Sequence, residues 1–74
     1  MNTTLQGRIS YWNDERAFGF VRQDKGGADL FVHLNNFADR IDPRAMEIGQ
    51  RVTYEECFNQ QKGKPYAGHV RLLP

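Results

Sequence analysis

Seventy-four residues give room for one domain, 1–74, and a domain so short buries a small share of its surface, so its stability is expected to be modest. Ten Lys and Arg against nine Asp and Glu leave a net charge of +1, which excludes the strongly basic footprint of a protein held to nucleic acid by charge alone. A lone Cys57, no Cys/His cluster and no apolar run near the roughly 20 residues that span a bilayer exclude an internal disulfide, a metal or cofactor set and a membrane span.

In chain order, the opening Met1 to Gln6 lacks the charged-then-apolar order of a signal peptide, so a soluble, cytoplasmic protein is expected. Period-2 alternation then predicts a first strand over about Leu5 to Asn13. The polar turn Asn13 to Arg16 leads to a second strand over about Ala17 to Gln23. Asp24, Lys25, Gly26 and Gly27 form the next turn, whose glycines supply the positive backbone angles of a tight hairpin, and a third strand follows over about Ala28 to Leu34. Asn35 to Gly49 shows no alternation and contains Pro43, so it reads as a long connection with one helical turn near Phe37 to Arg40. A fourth strand is predicted over about Gln50 to Phe58 and a fifth over about Tyr66 to Leu72, joined by the polar loop Asn59 to Lys64. Five antiparallel strands split by a long loop suit a small all-β closed barrel, which removes exposed sheet edges.

Alternation sorts these strands into two faces. Val21, Leu30, Val32 and Leu34 form the aliphatic set and are the natural core, with Val52 and Val70. Phe18, Phe20, Phe31 and His33 then face water together, although a plain core role is the competing reading for the three Phe and a structural, hydrogen-bonded role for His33. Tyr11 and Trp12 fall on opposite faces by parity, so one of them faces the core. Large exposed apolar patches mark binding sites. A row of rings at strand spacing suits nucleobases, each of which has a flat π-face worth roughly 1 to 3 kcal/mol when stacked. Duplex DNA hides those faces, so the expected partner is single-stranded RNA or DNA.

Arg16, Ala17, Phe18, Gly19, Phe20, Val21 resembles the KGFGFI ribonucleoprotein motif of the cold-shock domain family, and Leu30, Phe31, Val32, His33 resembles its VFVH motif. Gly7 to Asn13 is similar to the family's GxVKWFN, Met46 to Val52 to its LxEGQxV, and Pro65 to Val70 to its closing PQAxNV. The resemblance spans nearly the whole chain, in order. It implies a five-stranded OB-type barrel that binds single-stranded RNA and DNA with low sequence selectivity, acting as an RNA chaperone or regulator of gene expression. Carried over by position, the stacking residues are Tyr11, Phe18, Phe20, Phe31 and His33, with Trp12 flanking them; Asp29 matches a position that bonds a base edge, and Arg16 matches a Lys near the phosphates. Arg44, in the long loop, is a further contact.

The departures from the family pattern weaken the site. Ser10 replaces the Lys before the first aromatic, Tyr11 and Trp12 replace Trp-Phe, Ala17 replaces a Gly, Leu34 replaces an aromatic, and the long loop offers Ile41, Pro43 and Arg44 where the family has a Phe. The same mode of binding is expected with fewer stacked bases and lower affinity. The rival reading is a protein-interaction module that has lost much of its nucleic-acid affinity. Lys62 and Lys64 lie on a loop placed to close over a ligand, whereas His69 and Cys57 read as structural or incidental. No nucleophile, base and orienting acid share a plausible geometry and no phosphate-binding G-x-x-x-x-G-K-[ST] loop occurs, so neither an enzyme nor a small-molecule substrate is expected. The residues carry no signature of oligomeric state.

Overall fold

A computed structural model describes residues 4–74; the opening segment lies in part in residues 1–3, outside the described residues. Strands β1 (Leu5–Asn13), β2 (Phe18–Gln23), β3 (Leu30–His33), β4 (Arg51–Asn59) and β5 (Lys64–Leu72) close into a barrel in the order β1-β2-β3-β5-β4. The all-β OB-type barrel expected from the sequence is therefore present, with one correction to the strand directions. Four of the five contacts are antiparallel, but β3 and β5 run parallel where Phe31 meets Tyr66. The reason is parity, because a closed ring with an odd number of strands cannot alternate direction all the way round.

The strand ends differ from the sequence pattern where local chemistry intervenes. Ala17 precedes β2 with a φ of 56°, outside the extended region, and its carbonyl accepts from the Leu34 N–H at 2.8 Å. β3 stops at His33 because the His33 N–H donates to Asn36 Oδ1 at 2.8 Å and His33 Nδ1 accepts from the Asn35 N–H at 3.1 Å. This reciprocal cap turns Leu34–Asn36 into a single 3₁₀ turn and leaves Leu34 only half-buried, not in the core as alternation suggested. The expected turn over Phe37 to Arg40 is displaced; a second 3₁₀ turn lies at Pro43–Ala45, started by Asp42 Oδ1 accepting from the Arg44 N–H at 2.9 Å. Phe37 itself bridges to Val70 and is buried.

Val21, Leu30, Val32, Val52 and Val70 are all buried as expected, with exposures of 2% or less, and Ile9, Tyr54, Ala67 and Phe37 complete the core. Its polar atoms are satisfied. The Tyr54 hydroxyl donates to Gln23 Oε1 at 2.9 Å while Gln23 Nε2 donates to the Ala28 carbonyl at 2.9 Å. Burial pushes the Tyr54 phenol up from its ordinary range, with the charges of Glu56 and Asp24 adding to the effect. At the surface, Arg51 grips Asp24 with contacts of 2.9 and 2.7 Å, tying the β2–β3 turn to β4; these hydrogen bonds hold the Asp24 carboxyl below the usual carboxylate range.

Candidate nucleic-acid interface

The register of three strands brings the rings together. Phe20 is paired with Phe31 and Phe18 with His33 across β2 and β3, while Gly19 faces Val32 and Val21 faces Leu30 on the core side. Across β1 and β2, Tyr11 is paired with Phe20. That pairing depends on a bulge. Ile9 opposes Val21 and Tyr11 opposes the next residue, Phe20, so Ser10 is an extra residue on β1. Without it, strict alternation from the buried Ile9 would turn Tyr11 inward; with it, Tyr11 joins the Phe face and Trp12 faces the barrel.

The result is one cluster of four rings. Tyr11 lies 6.0 Å from both Phe18 and Phe20, Phe18 lies 6.3 Å from Phe20, and Phe20 lies 6.2 Å from Phe31. Phe18 and Phe31 are nearly parallel, 5.7 Å apart at 22°. Tyr11 and Phe31 are exposed, at 44% and 37%, and Phe18 and Phe20 are half-buried by their neighbours in the cluster. None of the four belongs to the core.

Trp12, expected to flank the rings, packs on the core side instead. Its ring meets Phe37 edge-on at 6.0 Å, and its indole N–H donates to the Pro43 carbonyl at 2.8 Å. Gly19 makes this possible, since a Cβ there would collide with the Trp12 ring and the Tyr11 carbonyl. His33 stands at the rim of a groove beside Phe20 and Phe31, and the hydrogen bond into its Nδ1 leaves Nε2 as the protonated nitrogen in the neutral ring. Asp29 lies in the same groove; its Oδ2 accepts from the bulged Ser10 hydroxyl at 2.7 Å, and its Oδ1 is 3.7 Å from Arg22 Nε. The Ser that replaces the family's Lys thus orients the carboxylate from below. Arg16 and Arg44 sit on exposed turns and form no ion pair among the described residues.

Sequence reasoning missed the far wall of this groove, an open volume of about 1020 Å³. Phe58, Asn59, Gln60 and Tyr66 line it, beside Lys62 and Lys64, the two residues of this wall that the sequence had placed on a loop closing over a ligand. Phe58 shares parity with the buried Val52 and Tyr54, so alternation alone places it inside. The register held the signal: among the described residue pairs β1 covers β4 from Arg51 to Tyr54, while Glu55 to Asn59 pair with β5. Among the described residues the end of the β4–β5 hairpin is therefore an arm beyond the closed wall, where Phe58 is 61% exposed.

A five-stranded OB-type barrel with basic residues at the margins of an exposed ring cluster defines a class of nucleic-acid-binding domain rather than an enzyme. The family model described as the 'Cold-shock' DNA-binding domain matches residues 5–73, and the chain belongs to that family of nucleic-acid-binding, non-catalytic proteins. It is 36% identical to the cold shock protein CspV of Vibrio cholerae over 73 residues, covering 99% of this chain and 100% of that protein. It is 39% identical over 64 residues to the cold shock protein ScoF of Streptomyces coelicolor, covering 86% and 91% respectively. The cold shock protein CspA of Rhizobium meliloti is 34% identical over 65 residues, covering 88% and 93%. Among the described residues no helix is long and apolar enough to cross a membrane.

Proposed function

We propose that residues 1–74 act as one domain that binds single-stranded RNA or DNA with low sequence selectivity, and that keeping strands unpaired is its role as an RNA chaperone or regulator of gene expression. The observation that carries this reading is the four-ring cluster itself, with centroids 5.7 to 6.3 Å apart on adjacent strands and an aliphatic core on the reverse side. Unpaired bases stack on Tyr11, Phe18, Phe20 and Phe31, His33 caps the row, and Arg16 and Arg44 meet phosphates. The Asp29 carboxylate, an acceptor only, receives an exocyclic amino group or ring N–H from a base edge. Trp12 contributes by holding Tyr11 and the Pro43 turn in place, not by stacking.

A hexamer or heptamer single strand should bind at least tenfold more tightly than the same sequence in a duplex, and the amide shifts it causes should map to β1, β2 and β3. Equal or stronger duplex binding, or shifts confined to another face, would overturn the reading.

A further inference from the structure

We propose that the β4–β5 arm is a second stacking wall, which extends the single-strand site past Phe31 and sets the length of strand the protein holds; this rests on the single-strand reading above. Phe58 and its strand partner Pro65 line the same groove as Phe20 and Phe31, and Tyr66, whose backbone pairs with Phe31, lines it between them, so the arm forms the groove's opposite wall. Phe58 is the most exposed of the large apolar rings, at 61%, left open by the described residues around it. A ring held out on a two-stranded arm beside cations suits a flexible, negatively charged, π-faced ligand.

The charges agree with that occupant. Lys62 Nζ lies 6.0 Å from the Phe31 centroid, which draws the arm over the end of the barrel's ring row. Neither Lys62 nor Lys64 forms an ion pair among the described residues, so neither charge is neutralised by a carboxylate. Asn59 and Gln60 line the same groove and carry amide groups that bond base edges. The groove is continuous from Phe20 and Phe31 to Phe58, so one strand reaches both walls.

The experiment is a length series of oligothymidine, from about three to about ten nucleotides, which starts just below the roughly 4- to 16-nucleotide site sizes of barrels of this type and runs into them. It is titrated into the whole protein and into Phe58→Ala, with urea midpoints as a folding control. The shortest strands should bind both proteins alike, whereas the longest should lose about 5- to 150-fold on Phe58→Ala, the value of one stacking platform. Phe58→Leu keeps an apolar side chain without a π-face and should show the same length-selective loss. A loss equal at all lengths, or no loss at any length, overturns the second wall while leaving the barrel face intact. The second wall is equally overturned if Phe58→Ala leaves every affinity unchanged but converts a sedimenting dimer to a monomer, since the ring is then a contact between copies. If the wild-type protein binds no strand of any length, the single-strand reading itself fails, and the second wall with it.

Discussion

Ala17 has a φ of 56° at the mouth of β2, where its carbonyl is fixed by the Leu34 N–H at 2.8 Å. An L-residue in that region costs roughly 1 to 2 kcal/mol, whereas glycine has no Cβ to clash but loses more chain entropy on folding, by roughly 0.5 to 1 kcal/mol. The first effect is the larger. Ala17→Gly should therefore stabilise the fold by about 0.5 to 1 kcal/mol, read as a higher urea midpoint at unchanged slope. A lower midpoint would mean that the backbone at this position relaxes without help. Ser10 shows where single residues defeat pattern reading. The alternation of β1 said that Tyr11 and Trp12 face opposite ways but not which faces in, because a bulge of one residue reverses parity without leaving a mark in composition. The resemblance to a known family pointed to Tyr11, and the bulge explains it physically.

On the scale of elements, β3 carries both functions of the barrel on four residues, with Phe31 exposed and Val32 fully buried. Phe31→Ala should weaken single-strand binding by roughly 1 to 3 kcal/mol and cost folding less than the roughly 3 to 5 kcal/mol of a buried Phe truncation. Val32→Ala should destabilise by about 2 kcal/mol, counting two lost methyl groups and a partial cavity, and leave the affinity of the folded fraction unchanged. Urea midpoints and oligothymidine affinities of the two variants, measured together, check both. The opposite pattern would invert the assignment of faces, and no effect of Phe31→Ala on either quantity would favour a protein-interaction role. These two faces were legible because strict alternation survives along β2 and along β3. The arm and the 3₁₀ turns were not, since they depend on what lies beside them: Phe58 is exposed where the described pairing of β1 with β4 has ended at Tyr54, and Leu34 leaves the core because the His33 cap stops β3.

For the whole molecule, the near-balance of charge decides how binding responds to salt. Three ion pairs, Arg22–Asp29, Lys25–Glu56 and Arg51–Asp24, take three of the ten cations, and of the other seven only Arg16, Arg44, Lys62 and Lys64 are assigned to phosphates. Arg16 and Arg44, alone or joined by one or both of Lys62 and Lys64, give about two to four phosphate contacts. Counterion release from a single strand then sets a slope of about −1.4 to −2.8 in log affinity against log salt, or a loss of about 7- to 50-fold between 50 and 200 mM. Stacking is much less sensitive to salt, so affinity should remain measurable well above that range. Lys62→Gln with Lys64→Gln should make the slope shallower by about 0.7 for each phosphate contact removed, and Phe31→Ala should lower the whole line without changing its slope. A wild-type slope equivalent to six or more phosphates would mean that charge carries the binding. A Phe31→Ala line that converges on the wild-type line at high salt would mean that the rings contribute nothing once the phosphates are screened.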